Sequence, residues 1–155
     1  MRIAFDLDNT LIRDQYPFPL EPQHWLVKLL GFEQLRSHTI QLMQLLQKQE
    51  HKIWIYTSSM RNLVYLRLLF RWHGIILDGI INLDVHNQQV KKNCSKHPPT
   101  FGIDLLVDDS KGVGIESRKY NFKMIQVSPE DEDWHQKIIL KVKEIEKFTK
   151  DIIPK

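Results

Sequence analysis

Apolar and polar positions along the chain fall into two rhythms. Five short apolar runs have strand length and are rich in β-branched or aromatic residues: 2–7 (RIAFDL), 52–57 (KIWIYT), 79–83 (GIINL), 104–107 (DLLV) and 123–127 (KMIQV). Between them apolar residues recur every three or four positions. Ser37 is placed to cap a helix running to about Glu50, with Ile40, Met43 and Leu46 on one side and Leu42 and Leu45 beside them. Ser58 or Ser59 can cap a second helix, with Leu63, Leu66, Leu69 and Phe70 as its buried face and Gly74 as its stop. KGVG at 111–114 reads as a turn, followed by a short helix over 114–120. A last helix starts near Glu132 or Asp133, its inner stripe formed by Trp134, Ile138, Val142, Ile145 and Phe148. Strands alternating with helices predict an α/β three-layer sandwich around a parallel sheet of about five strands.

Composition fits one such domain. The chain has 155 residues, 42% hydrophobic and 26% charged, enough for a packed core and against disorder. The net charge of +3 suits an anionic ligand without marking a nucleic-acid binder, which would need clustered basic residues. With Cys94 as the one cysteine, no intramolecular disulfide can form, and a reducing, cytoplasmic setting is expected. Acids interrupt the first apolar run within a few residues, so no signal peptide is expected. No apolar run approaches the roughly 20 residues needed to span a membrane.

The strand ends carry the chemistry. In parallel sheets ligands bind beyond the carboxyl ends of the strands. The first run ends at Asp6 and Asp8, the second at Thr57, Ser58 and Ser59, the fourth at Asp108, Asp109 and Ser110. Four carboxylates gathered on one rim repel each other, and burial sharpens the repulsion. A bound cation relieves it, and an all-oxygen donor set suits Mg²⁺. Lys96, just before the fourth strand, would add positive charge, with Lys91, Lys92 and Lys111 as alternatives. Cys94 and His97 lack the second pair that a zinc site needs.

Asp6-x-Asp8-Asn9-Thr10, then Thr57 at a strand end, then Lys96, then Asp108-Asp109 resembles the four-motif signature of the haloacid dehalogenase-like (HAD) superfamily. The resemblance implies a Rossmann-like fold and a role for each residue. Asp6 would be the nucleophile that forms an aspartyl-phosphate. Asp8 would be the general acid and then the base, its backbone carbonyl touching Mg²⁺. Thr57, with Ser58 and the amides of the following helix start, would hold phosphoryl oxygens. Lys96 would neutralise nucleophile and phosphate, and Asp108 and Asp109 would join Asp6 and Asp8 around Mg²⁺. A second aspartate at position 8 is the mark of the superfamily's phosphatases rather than its dehalogenases.

Neither the gap from Asp8 to Thr57 nor that from Thr57 to Lys96 has room for a folded cap domain. A capless member is expected, one domain over 1–155, with residues 13–35 as a small flap over the site. The function implied is a Mg²⁺-dependent phosphohydrolase acting on a phosphomonoester. A non-catalytic phosphate-binding or regulatory protein, or a phosphotransferase, would use the same residues. The expected partner is a phosphorylated substrate, with neither membrane nor nucleic acid indicated.

Overall fold

The computed structural model describes the backbone of residues 1–152 and the side chains of residues 1–148. Five parallel strands form one sheet: β1 (Arg2–Phe5), β2 (Lys52–Tyr56), β3 (Gly79–Ile81), β4 (Leu105–Asp108) and β5 (Met124–Gln126). Their order is β3-β2-β1-β4-β5, so β1 is central. The chain builds one half of the sheet, then crosses back to add β4 on the other side of β1. The order of strands therefore reverses beside β1, where α/β sheets place their ligand crevice.

Alternation along the strands sorts side chains onto two faces. Ile3, Phe5, Ile53, Ile55, Leu105 and Val107 enter the larger core. Against them pack α2 (Thr39–Lys48), α3 (Leu63–Trp72) and α6 (Trp134–Ile152), following the short α1 (Trp25–Leu29) in the chain. Leu42, Met43 and Leu46, then Leu66, Leu69 and Phe70, then Trp134, Ile138 and Val142 supply the helical side of this core. Ala4, Tyr56 and Leu106 face the other way, joined by Val113 of α5 (Lys111–Lys119), with Val85 of α4 (Leu83–Gln89) packed against them. The three layers match the sequence expectation, with shorter strands.

The helix starts differ from that expectation. His38, not Ser37, is the N-cap of α2, in a left-handed conformation (φ 70°) and without a side-chain cap. The Ser37 amide bonds the Pro19 carbonyl at 2.8 Å, beside the bridge between Leu20 and Arg36, and Glu21 reaches across to accept from the Ile40 amide at 3.2 Å. Asn62 caps α3 through the Val64 and Tyr65 amides, so the helix starts well beyond Ser58 and Ser59. KGVG is not a turn: Ser110 caps it as the first turn of α5. The polar LDVHNQQ segment forms α4, which hydrophobic periodicity did not reveal, started by the Asn82 cap.

Segment 13–35 contains α1 and is otherwise irregular, anchored by buried Phe18 and Val27 and by bridges to residues 12 and 36. Among the described residues no helix is long and apolar enough to cross a membrane.

Candidate active site

Asp6 lies one residue beyond β1, and its amide continues the ladder to the Val107 carbonyl at 2.8 Å. The chain then folds back tightly. Leu11 and Ile12 amides both bond the Leu7 carbonyl, and Asn9 takes a left-handed conformation (φ 61°), which asparagine tolerates. The Asn9 side chain accepts from the Gln15 and Tyr16 amides, tying segment 13–35 to this loop. The fold-back aims the buried Thr10 hydroxyl at two carboxylates, 3.2 Å from Asp109 and 3.4 Å from Asp6.

Lys96 is the centre of the arrangement. Its Nζ is fully buried and lies 2.5 Å from Asp6 Oδ1 and 2.5 Å from Asp108 Oδ2. No long helix delivers it. Its backbone is held from several sides: the Glu116 carboxylate accepts from the Ser95 and Lys96 amides at 2.8 and 3.2 Å. The Tyr56 hydroxyl accepts from the next amide, His97, at 2.9 Å and lies 2.6 Å from His86 Nδ1. A single 3₁₀ turn, Pro98–Phe101, then leads toward β4. Of the other candidate lysines, Lys92 lies beside His97 instead, at 2.9 Å.

Electrostatics follow this geometry. Burial pushes the Asp6 carboxyl up to about 7, Lys96 opposing the rise and Asp108 adding to it. Burial works to lower Lys96, but Asp6 and Asp108 outweigh it and hold the ammonium above its ordinary value. Asp109 is raised by burial and by Asp108, with Thr10 working the other way. Carboxylate oxygens of Asp6, Asp108 and Asp109 all lie within 4.8 Å of one another. One ammonium serves two of them, leaving net negative charge in a buried place. A hard divalent cation such as Mg²⁺ fits this donor set. The three would hold it, with Asp108 Oδ1 already fixed by the Ser110 amide at 2.8 Å.

Asp8 points elsewhere. Its carboxylate meets the Arg61 guanidinium at 2.5 Å, the Ser59 hydroxyl, and Thr57 Oγ1 at 3.5 Å. Its side chain is outside the three-carboxylate cluster. Thr57 is buried at the end of β2, and its hydroxyl accepts from the Ser59 amide at 3.1 Å. Ser58 is exposed, and Ser59 is the hydroxyl turned inward. The amides beside Thr57 belong to the irregular 58–62 loop rather than to a helix start. A groove of about 800 Å³ opens beside Asp109, bordered by Tyr16, Lys111, Ser128 and Lys137.

Sequence reasoning did not single out Arg61 or Glu33, and named Ser59 only as a strand-end hydroxyl and possible helix cap. Arg61 also pairs with Glu33 at 2.6 Å; burial works against its charge, but Glu33 and Asp8 outweigh that and hold it above its usual value. The one advance signal was an arginine four residues past a strand-end threonine, which is weak alone.

No family model matches the chain, and no curated protein matches it. A chain from a solved Pnkp1/Rnl/Hen1 complex is similar over 81% of this chain at 18% identity, with a TM-score of 0.53. This protein covers 45% of that chain, less than half its length. A predicted HAD-like family hydrolase from Porphyromonas gingivalis is similar over 85% of this chain and 93% of its own, at 13% identity and a TM-score of 0.48. The first likeness is one of fold alone.

Proposed function

We propose that this protein is a Mg²⁺-dependent phosphohydrolase that cleaves a phosphomonoester through an aspartyl-phosphate on Asp6. The observation that carries the reading is Lys96 bridging Asp6 and Asp108, with Asp109 beside them, at the rim where β1 and β4 end. A buried lysine between two aspartates has little structural purpose that an apolar pair could not serve more cheaply. It does suit a nucleophilic carboxylate that must stay ionised while a phosphate dianion approaches.

When bound, the cation would neutralise phosphoryl oxygens and screen their repulsion from Asp6. The chain's own residues do the rest. Asp6 attacks phosphorus as the bond to the ester oxygen breaks. Asp8 supplies the proton to that oxygen, then takes one from the water that hydrolyses the aspartyl-phosphate. Thr57 and the 58–60 amides would hold phosphoryl oxygens, and Lys96 favours the charged form of Asp6 against burial and holds it in place.

The test is phosphate release from a panel of phosphomonoesters, in Mg²⁺ and in chelator, with Asp6→Asn as control. Release that requires Mg²⁺ and vanishes in the variant is the expected result. A folded protein that releases nothing, yet binds beryllium fluoride only with Mg²⁺, would instead be a phosphate-binding protein.

A further inference from the structure

The hydrolytic reading leaves Arg61 without a task, and the geometry around it is specific. Its backbone is fixed first: Asn82 Nδ2 donates to the Arg61 carbonyl at 3.0 Å, and the Leu83 amide to the Ser59 carbonyl at 3.2 Å. The 58–62 loop is thus tied to the start of α4. The guanidinium is fixed next. Glu33 Oε2 accepts from it at 2.6 Å and from the Tyr65 hydroxyl at 3.1 Å. That hydroxyl accepts from the Glu33 amide at 3.0 Å, while Phe32 stacks on the Tyr65 ring with centroids 5.5 Å apart. Arg61 is thereby set by α3, α4 and segment 13–35 together, and its free edge meets Asp8 Oδ1 at 2.5 Å. The other Asp8 oxygen receives Ser59 and Thr57.

We propose that Arg61, braced by Glu33, is the positioning residue that aims Asp8 for proton transfer. The inference rests on the phosphohydrolase reading. In the first half-reaction the Asp8 proton passes to the bridging oxygen as the phosphorus–oxygen bond breaks and the Asp6 carboxylate takes the phosphorus. Asp8 ends that step as a carboxylate. A guanidinium on one oxygen and a hydroxyl on the other stabilise that product and fix its orientation. An arginine suits this better than a lysine, because two of its nitrogens serve Glu33 and Asp8 at once in a planar fork. Glu33 also couples segment 13–35 to the chemistry, so displacing that segment would release the aim of Asp8.

The experiment compares kcat/KM for two esters of similar size, p-nitrophenyl phosphate and phenyl phosphate, in Mg²⁺. This ratio reports events up to leaving-group release, and only the poorer leaving group needs the proton. For Arg61→Met, phenyl phosphate turnover is expected to fall roughly tenfold or more. The p-nitrophenyl ester should change by no more than about threefold. Asp8→Asn should show the same selectivity, and the Asp8→Asn/Arg61→Met double variant no further selectivity. Glu33→Gln and Arg61→Lys, which keep more of the local packing, should show the same selectivity in weaker form, and they decide the matter if Arg61→Met does not fold. Equal losses on both esters, or none, in variants that melt like the wild type would overturn the role. A wild type inert towards every ester would remove the hydrolytic reading itself, and this inference with it.

Discussion

At the scale of single residues, Lys96 carries the largest electrostatic burden. Its ammonium separates two aspartates that burial would otherwise set against each other. Lys96→Met is expected to cost about 3–5 kcal/mol in chelator, since it strands buried carboxylates without a cation. Mg²⁺ should return part of that loss, which paired urea melts with and without the metal would show. Tyr56→Phe is expected to cost roughly 1–3 kcal/mol, because it strips a partner from the His97 amide and from His86. The proposed phosphohydrolase activity should also be slowed, because the Lys96 backbone loosens. The places of Asp6, Thr57, Asp108 and Asp109 at strand ends were legible in the sequence because strand ends advertise themselves locally. The Asp8 side chain, expected with them, turns to Arg61, and Lys96 reaches them from the loop before β4. Arg61 and Glu33 were not legible, since their partnership forms only when the 58–62 loop and segment 13–35 meet in space.

At the scale of elements, the register of the strands sets tight limits. Trp54 lies opposite Gly79, and a Cβ on that glycine would stand 2.3 Å from carbons of the Trp54 ring. Gly79→Ala is expected to force the indole aside and lower stability by about 1–3 kcal/mol, measurable by urea denaturation. Every strand and the longer helices could be read from hydrophobic period alone. Helix starts could not, because their caps answer to neighbours. Glu21 serves α2 from a distance and makes a serine cap there unnecessary. The KGVG segment has the composition of a turn, yet Ser110 draws it into α5. Helix α4 has too few apolar residues for a period to show.

At the scale of the whole molecule, buried and half-buried histidines set the response to acid. Burial holds His51, His73, His86, His97 and His135 below the ordinary histidine value. Unfolded histidines take up protons near pH 6.5 while these resist, so the unfolded state binds more protons and stability falls as pH drops through that value. Asp6 acts in the opposite sense. With its folded value pushed up to about 7, the native state gains a proton first, and this contribution fades as pH rises from about 4 towards 7. The five histidines titrate across this window, against Asp6 and Asp109, both raised, so urea midpoints in chelator should decline from pH 7.5 to 5.5. They should decline more steeply in Asp6→Asn, which lacks one of the two counteracting carboxyls.

The central position of β1 bears on the order in which the molecule assembles. The pairings of β1 with β2 and of β2 with β3 join strands within the first 81 residues, whereas β4 must return to β1 across about a hundred residues. Contacts of such long range close late, because the chain entropy of a large loop must be surrendered before they repay it. Asp6 and Asp108 face each other across that last seam. Affinity for Mg²⁺ at the proposed site should accordingly emerge with the slowest refolding phase and not before it. In a stopped-flow refolding experiment, metal uptake would then serve as a clock for the closing of the sheet.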